Sequence, residues 1–318
     1  MSNAFIFPGQ GSQKVGMASS FMNGYKAGME VMEEIEDSVG SKLSGLIEDG
    51  PIEKLTKTEN AQLAIFAVSM MCVKILEIEY GYDLFKKCKY LAGHSLGEYS
   101  ALCAAGTISI SDAARLVYFR GKLMASAFPA SGDCAMVALL GISVADIEEL
   151  ILQYQSGQNI CVIANDNSDS QVVVSGNRLA VSDFVRKAKE TTCVVKAIEL
   201  NTNGPFHSPL MAKAAIKFDK KLSSDFTFSD FKIPVITNTL ARPLTDKADI
   251  HGHLVKQMTD RVRWRESIKF MLDDPEIDKI IEIAPGRVLS TMLKRDSCDA
   301  DVFSLETVSQ VENFMKSE

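Results

Sequence analysis

The sequence predicts an α/β protein in which a smaller α/β unit is inserted into a larger body with a largely parallel sheet. Short apolar runs alternate with helical periodicity over residues 1–128, a pattern typical of parallel strands joined by helices. A turn-rich stretch then leads into a segment with the order strand, helix, strand, strand, helix, strand. The first pattern returns near residue 205. The predicted domains are therefore 1–128 with 205–318, and an insert at 129–204.

The composition is that of a globular protein with a sizeable core, since 46% of the 318 residues are hydrophobic and 24% are charged. The net charge of −7 argues against a nucleic-acid-binding protein, which normally has a basic surplus. The seven cysteines are scattered and form no CxxC pair. They predict reduced thiols in a cytoplasmic protein, with neither a disulfide framework nor a structural zinc site.

Targeting and membrane segments are not predicted. The first residues carry no basic region and reach Pro8-Gly9 at once, unlike a secretory signal peptide. The most apolar run, Ala61–Val73, is interrupted by Gln62 and Ser69. It is shorter than the roughly 20 residues that span a bilayer, and we expect a core helix there.

In the first part of the large body, apolar runs ended by glycine or proline indicate strands, and periodic apolar positions indicate helices. The predicted elements are a strand at Ala4–Phe7, helices within 15–48, a helix from an N-cap at Asn60 to about Tyr80, a strand at Tyr90–Ala92, a helix from Gly97 to Ala105, and a helix from Ser111 to about Phe128.

The insert and the return to the large body follow the same rules. The insert is predicted as a strand at Cys134–Leu140, a helix at Ser143–Tyr154 with a capping-box-like Ser143/Asp146 pair, strands at Asn159–Ala164 and Gln171–Ser175, a helix at Leu179–Lys189 and a strand at Cys193–Leu200. This order is that of a split-βαβ or ferredoxin-like unit. The remainder is predicted as a strand at Ile233–Asn238, helices at about Ile250–Thr259 and Trp264–Leu272, a strand at Lys279–Ile283 and a last helix.

A GxSxG sequence, Gly93-His94-Ser95-Leu96-Gly97, falls between a predicted strand and a predicted helix. Glycine-flanked turns with this pattern also occur by chance. Between a strand and a helix, however, the pattern is typical of a nucleophile elbow, in which the glycines permit a tight turn and the helix N-terminus places amide donors beside the serine. The context favours Ser95 as a nucleophile.

A serine nucleophile needs a base, and the chain has four histidines. His94 adjoins the serine and is expected to brace the turn. His251 and His253 have the spacing of a metal-binding pair, but no carboxylate–histidine cluster accompanies them, so a solvated polar face is favoured. His207 lies in a segment made rigid by two prolines, and we favour it as the base over a purely structural histidine.

Arg120 is predicted in the middle of an apolar helical stripe formed by Leu116, Val117, Leu123 and Met124. A guanidinium in that position is costly to bury without an anion. An internal Asp or Glu would satisfy it, and so would a substrate carboxylate held by both arms of the guanidinium.

The glycine-rich loop Pro8–Gln13 follows the first predicted strand. It fits neither the P-loop nor GxGxxG, so nucleotide binding is disfavoured. A tight loop at the carboxyl edge of a parallel sheet can instead supply a backbone N–H to an oxyanion.

Together these segments resemble the malonyl-CoA:acyl-carrier-protein transacylases of fatty-acid synthesis and, more broadly, the acyltransferase domains of polyketide synthases. The resemblance covers nearly the whole chain. Its motifs are FPGQGSQ at 7–13, GHSLGEYSA at 93–101, LVYFRGKLM at 116–124, Asn165 with QVVVSGN at 171–177, GPFHSPLM at 204–211, Gln257, VRW at 262–264 and IEIAPGRVL at 281–289.

The resemblance implies an α/β-hydrolase-like large subdomain with a parallel sheet, an inserted ferredoxin-like (βαββαβ) small subdomain, and an active site in the cleft between them. It implies that Ser95 is the nucleophile and His207 its base. The other implied roles are an oxyanion hole from the backbone amides of Gln10 and Leu96, a carboxylate clamp from Arg120, a main-chain carbonyl of Gln257 that orients His207, and pocket lining by Met124, Asn165 and Phe206.

The implied reaction is ping-pong transfer of a malonyl group through a malonyl-serine ester. Its partners are malonyl-CoA and acyl carrier protein, and no cofactor, metal, nucleic acid or membrane is expected. Phe206 and Leu96 match the family pattern for malonyl over methylmalonyl. Because one methyl group is worth only about 1–3 kcal/mol, that selectivity is expected to be strong but not absolute.

The sequence departs from the family pattern at three places. Asn201–Gly204 stands where Val-Ser more often precedes the small residue, Arg261 stands where proline is usual, and Ala284 where glycine is usual. None of these touches a proposed catalytic group, although each loosens the expected local backbone.

Other functions stay open at this point. A serine esterase or thioesterase would use the same elbow with water as acceptor, but its histidine usually lies near the C-terminus. A non-catalytic carrier-docking protein would have no need of Ser95, His207 and Arg120. A free-standing acyltransferase of a polyketide pathway would use the same residues as a fatty-acid enzyme.

An acidic carrier protein requires a basic docking surface. Arg186, Lys187 and Lys189 on the second helix of the insert are one candidate cluster. A merely solvated helix face is the alternative.

Overall fold

Two β-sheets organise this computed structural model, which describes residues 2–127, 133–154, 158–192, 194–202, 204–296, 298 and 300–318. The strands are β1 (Ser2–Phe7), β2 (Cys88–Gly93), β3 (Cys134–Leu140), β4 (Cys161–Ser168), β5 (Gln171–Asn177), β6 (Lys196–Glu199), β7 (Val235–Ile236), β8 (Pro243–Leu244), β9 (Val262–Arg263), β10 (Ile277–Ile283) and β11 (Asp301–Leu305).

Helices connect these strands. They are α1 (Ser19–Gly24), α2 (Lys26–Val39), α3 (Ser44–Asp49), α4 (Ile52–Leu55), α5 (Thr58–Ile78), α6 (Leu84–Lys87), α7 (Gly97–Ala104), α8 (Ile110–Ser126), α9 (Val144–Leu152), α10 (Arg178–Thr191), α11 (Ala212–Asp225), α12 (Ile250–Gln257), α13 (Trp264–Leu272), α14 (Val288–Arg295) and α15 (Val308–Lys316), with 3-10 turns at Pro209–Met211 and Lys247–Asp249.

The first sheet has the order β11-β10-β1-β2-β7-β8 and is parallel except for the β7–β8 pair. Its central strand β1 is apolar and buried from residue 4 to residue 7, as expected for a parallel strand covered on both faces. Phe7 lies opposite Gly93 in the register of β1 with β2. The loops that follow these two strands therefore meet at the carboxyl edge of the sheet.

The second sheet has the order β6-β3-β5-β4-β9. Its first four strands are antiparallel and come from the predicted strand-helix-strand-strand-helix-strand segment. Strand β9 comes from the later part of the chain and pairs in parallel with β4, with Asn165 opposite Val262. The sequence did not indicate β9. This strand belongs to the chain segment that follows the insert, and it adds a fifth strand to the second sheet.

Helix α5 is the longest described helix and lies against α2 and α8. By length and composition it could cross a membrane, yet 83% of its most apolar window is buried inside the protein. The predicted core helix is therefore present, and it begins and ends about two residues earlier than the predicted Asn60 to Tyr80. The predicted N-cap was wrong: Lys57 holds that position, and the Asn60 side chain donates to the carbonyl of Lys54.

Other element boundaries differ by a few residues. Helix α8 begins at Ile110, because the Ser109 hydroxyl accepts from the Asp112 N–H as an N-cap. The capping box of Ser143 and Asp146 is present at α9. The sequence did not indicate the short helices α4 and α6, nor α11, β8 and β11, and it indicated one helix after β10 where the structure has α14 and α15. The predicted ends at Phe128 and Cys193, and the predicted boundary between 128 and 129, fall on or beside residues outside the described ranges.

Candidate active site

Ser95 lies in a sharp turn between β2 and α7, with a positive φ of 51°. The turn needs its two glycines. A Cβ on Gly93 would lie 1.9 Å from the carbonyl carbon of Gly97, and a Cβ on Gly97 would lie 2.1 Å from the carbonyl oxygen of Phe7. Only glycine allows the strand, the turn and the helix to approach this closely.

His207 faces Ser95, and its Nε2 lies 2.7 Å from the serine Oγ. The other ring nitrogen, Nδ1, donates to the main-chain carbonyl of Gln257 across 2.7 Å. This bond fixes the tautomer in which Nε2 is the acceptor. Burial, followed by the positive charge of Arg120, lowers the pKa of His207 to about 3, so the ring is neutral and can accept a proton.

Arg120 is fully buried, and its guanidinium is held by neutral groups. Nη1 donates to Gln62 Oε1 across 2.8 Å, while Nη2 donates to Gln257 Oε1 across 3.0 Å and to Ser95 Oγ across 3.1 Å. The ring of Tyr99 lies 5.0 Å from the guanidinium carbon. Within the described part of the chain Arg120 forms no ion pair, so the internal salt bridge considered from the sequence is not what satisfies it.

A cavity of about 260 Å³ opens above these groups, between the two sheets. Besides Ser95, His207 and Arg120, its lining includes five of the predicted residues: Gln10, Leu96, Met124, Asn165 and Phe206. Gln257 lies behind His207 rather than on the cavity wall. A larger groove of about 740 Å³ lies beside α5 and contains none of the predicted site residues.

The backbone amides of Gln10 and Leu96 belong to the two loops that meet at the edge of the first sheet. Gln10 is in the loop after β1, and Leu96 is the N-cap residue of α7. Neither N–H donates to another described residue. Both residues line the cavity on the side of Ser95, so two backbone donors are available to a bound group.

The other three histidines have separate partners. His94 bonds through Nε2 to Asn167 Oδ1 at 2.9 Å and lies edge-on to Trp264, so it links the elbow to β4 rather than acting on Ser95. His251 bonds to Asp219 and His253 to Thr239. Across the described ranges, no group of three or more His, Cys, Asp or Glu side chains is arranged to hold a metal.

Three polar residues of the site were missed from the sequence: Gln62, Glu98 and Asn238. Gln62 was visible as a polar interruption of the apolar run of α5, but its partner Arg120 is 58 positions away. Asn238 follows a strand that ends at the same sheet edge as β2, which was a usable signal. Glu98 gave no signal beyond being a charged residue in a helix whose described neighbours are largely buried.

The chain is similar to known proteins over nearly its whole length. The family model for the acyl transferase domain matches residues 4–312. The malonyl CoA-acyl carrier protein transacylase of Bacillus subtilis (strain 168) is 39% identical over 92% of this chain and 89% of its own length. The crystal structure of acyl-carrier-protein-S-malonyltransferase from Bartonella henselae has a TM-score of 0.94 at 39% identity, covering 100% of this chain and 99% of that one.

A further solved structure holds a type II PKS acyl-carrier protein in complex with its malonyl-transacylase. It has a TM-score of 0.93 at 32% identity and covers 100% of both chains. The chain therefore belongs to the acyl transferase family, in the group of the malonyl CoA-acyl carrier protein transacylases.

Proposed function

We propose that the protein transfers a malonyl group from malonyl-CoA to the phosphopantetheine thiol of acyl carrier protein, for fatty-acid synthesis, through an ester on Ser95. One observation carries this proposal: Arg120 is a buried cation that forms no ion pair with any described carboxylate, and it lies 3.1 Å from the hydroxyl of Ser95. An acyl group that ends in its own carboxylate would supply the missing anion while its carbonyl reaches the serine.

In the first half-reaction, Ser95 Oγ attacks the thioester carbonyl carbon while His207 Nε2 accepts the hydroxyl proton. The amides of Gln10 and Leu96 hold the negative oxygen of the tetrahedral intermediate. The carbon–sulfur bond then breaks, His207 returns its proton to the CoA sulfur, and a malonyl ester remains on Ser95. Gln257 stabilises the histidine throughout by accepting from Nδ1.

The second half-reaction is the reverse of the first, with the phosphopantetheine thiol in place of the thiol of CoA. His207 removes the proton of the phosphopantetheine thiol, whose sulfur attacks the ester carbonyl, and Ser95 regains its proton as it leaves. Arg120 holds the malonyl carboxylate in both steps, which keeps the ester in one pose and favours a positioned thiol over free water.

Phe206 and Leu96 restrict the acyl group. Both are buried and line the cavity on either side of the pair formed by Ser95 and His207. An aromatic ring beside the carbon between the two carbonyl groups leaves little room for a methyl branch. Met124 and Asn165 complete the wall of the pocket.

The proposed reaction also fits a division into two subdomains and a cytoplasmic location. We propose a large α/β-hydrolase-like subdomain, 1–128 with 205–318, that carries the nucleophile and base, and a ferredoxin-like insert, 129–204, that covers the acyl pocket. The insert's strand order, β6-β3-β5-β4, supports this division. The chemistry uses side chains and backbone only, so no cofactor is proposed. A cytoplasmic location fits the scattered thiols and the CoA substrate.

The charges around the mouth of the cavity indicate where an acidic carrier protein would dock. Arg186 of the predicted basic cluster forms ion pairs with Asp183 and Glu190 on its own helix, so its charge is already compensated. At α14, by contrast, Arg287 at the N-cap and Arg295 at the last residue are exposed and form no ion pair with any described residue.

These two arginines line a groove of about 350 Å³ beside the active-site cavity. The groove shares three wall residues with that cavity: Gln171, Val288 and Met292. We propose that the acidic carrier protein docks on α14, because the two arginines supply uncompensated positive charge next to the opening that its prosthetic arm must enter.

The proposed function is tested by incubating the protein with labelled malonyl-CoA and the phosphopantetheinylated carrier protein. The expected product is malonyl-carrier protein with little free malonate. Release of malonate as the main product would favour the thioesterase alternative. Transfer to a polyketide carrier but not to a fatty-acid carrier would place the enzyme in the other pathway.

A further inference from the structure

The strained backbone of Ser95 is held by side chains from outside its own motif. With a φ of 51°, the residue lies in the left-handed region that residues other than glycine rarely occupy, so its surroundings must hold it there. Its N–H donates to Asn238 Oδ1 across 2.7 Å, and its carbonyl accepts from Gln257 Nε2 across 2.9 Å. Both backbone polar groups of Ser95 therefore bond to side-chain amides, and its carbonyl also accepts from the backbone N–H of Glu98 across 3.2 Å.

Asn238 also contacts the parts of the elbow before and after Ser95. Its Nδ2 donates to the carbonyl of Gly93, the last residue of β2, across 2.6 Å. Its backbone N–H donates to Glu98 Oε2, in the first turn of α7, across 2.7 Å. One residue thus ties the strand, the turn and the helix together.

An amide is the side chain that these contacts require, because it donates and accepts at the same time. An ionised carboxylate in its place would only accept, and an apolar side chain would do neither. No side chain at Gly93 or Gly97 could supply such contacts, since a Cβ at either position would clash with backbone.

The position of Asn238 follows from the register of the first sheet. β7 pairs in parallel with β2, and Ile236 lies opposite Ala92. Two residues further along, Asn238 comes beside the turn at the carboxyl edge. Asn238 is itself 1% exposed, so its amide bonds are shielded from competing water.

Glu98 is a buried carboxyl that forms no ion pair with any described residue. Burial raises the pKa of this carboxyl to about 7. A carboxyl is costly to keep in such a place. What its position supplies is the acceptor for the backbone N–H of Asn238.

We propose that Asn238 is a positioning residue for acyl transfer, and that Glu98 fixes Asn238 in turn. Together they hold the Ser95 peptide so that Oγ faces His207 and the adjoining Leu96 N–H faces the acyl oxygen. The reaction itself is that of the proposed function. Positioning of Ser95 by Asn238 affects its reactivity toward any electrophile, and not only toward malonyl-CoA.

The test uses two rates measured on the full-length protein. The first is formation of the malonyl adduct on Ser95 at saturating malonyl-CoA, and the second is modification of Ser95 by a fluorophosphonate, a general serine-directed reagent. Asn238→Ala is expected to lower both rates about 100-fold, while the KM for malonyl-CoA changes less than about threefold. Asn238→Asp keeps the acceptor for Ser95 but loses the donor to Gly93, so we expect a smaller loss.

Two further comparisons separate positioning from a general loss of structure. Glu98→Gln retains an acceptor for Asn238 and is expected to keep both rates within about threefold, whereas Glu98→Leu lowers both. Asn3→Ala is the matched control, because Asn3 is also a buried asparagine and donates to Tyr82 across 2.7 Å, but lies at the start of β1. It is expected to lower the melting temperature without lowering either rate.

The proposal is overturned if folded Asn238→Ala keeps both rates within about threefold of the wild type, or if Asn3→Ala loses as much. It is also overturned if neither Asn238 variant folds, since Asn238 would then determine the fold rather than the elbow. Failure of the proposed function gives a different result: the wild type would react with the fluorophosphonate but not with malonyl-CoA.

Discussion

Arg120 and Ser95, from the middle of α8 and from the turn before α7, are joined by a hydrogen bond of 3.1 Å between guanidinium and hydroxyl. The same hydroxyl lies 2.7 Å from His207. A cation and a base therefore converge on one oxygen, and in the proposed function this cation binds the free carboxylate of the acyl group whose other carbonyl reaches Ser95.

Replacing Arg120 with alanine is expected to reduce malonyl transfer about 100-fold or more, because two charge-assisted hydrogen bonds to the substrate are each worth about 1.5–3 kcal/mol. Transfer of an acetyl group, which has no carboxylate, should be spared or improved. Steady-state kinetics with malonyl-CoA and acetyl-CoA measure both.

Arg115→Ala is the matched control for that change. Arg115 lies on the same helix but is about half exposed and ion-paired with Asp112. It should leave both activities unchanged. If malonyl transfer survived Arg120→Ala unaltered, Arg120 would not hold the carboxylate.

Phe206→Ala is expected to relax acyl selectivity. The preference for malonyl over methylmalonyl, expressed as the ratio of kcat/KM values, should fall by about 10- to 100-fold, the range that one methyl group can provide. Competition between the two CoA esters measures the ratio directly. An unchanged ratio would remove Phe206 as the selectivity residue.

The low pKa of His207 predicts that the acylation rate does not fall at mildly acidic pH. Because this pKa is about 3, the histidine stays neutral, and acylation of Ser95 should be level between about pH 7 and pH 5. With an ordinary histidine pKa near 6.5, the rate would fall about 25-fold over that range. Single-turnover acylation at each pH decides between them, and an inflection near pH 6.5 would contradict the neutral, buried base.

The same pKa has a consequence for stability. Between about pH 6.5 and pH 3 the unfolded chain protonates His207 while the folded chain does not, so this contribution is fully present above pH 6.5 and is lost as the pH falls. His207→Gln should therefore reduce the drop in unfolding free energy between about pH 7 and pH 5 by about 2 kcal/mol. Denaturant titrations at both pH values measure it. An equal drop in the wild type and the variant would show that His207 is not the group responsible.

Reversing the charge of Arg287 and Arg295 together to glutamate is expected to raise the KM for carrier protein about tenfold at low salt, with a smaller effect as salt is added. The comparison variant is Lys189→Glu, on the insert helix. If Lys189→Glu raised this KM and the α14 variant did not, the carrier would dock on α10 instead.

Much of the fold was predictable because its signals are local. The strand Cys134–Leu140 and the helix Trp264–Leu272 have the predicted bounds, and the capping box of Ser143 fixed the start of α9. The elements that were missed have weak local patterns. β8 and β9 have two residues each; β8 pairs with the equally short β7, and β9 pairs with the longer β4.

The candidate site likewise has residues that local motifs indicated and contacts that they did not. The motifs around Ser95, His207 and Arg120 indicated the residues that converge on the cavity. The amide contacts of Gln62, Gln257 and Asn238 could not be predicted, since each joins positions more than 50 residues apart or depends on sheet register. The sequence raised an internal salt bridge as one possibility for Arg120, and only the packing shows neutral amides around it.

The central claim is that Ser95 carries the malonyl group. Brief incubation with malonyl-CoA followed by intact-mass and peptide mass spectrometry should show one malonyl adduct on Ser95, absent from Ser95→Ala and discharged by the phosphopantetheinylated carrier protein. An unmodified protein, or a label on a cysteine, would contradict the account.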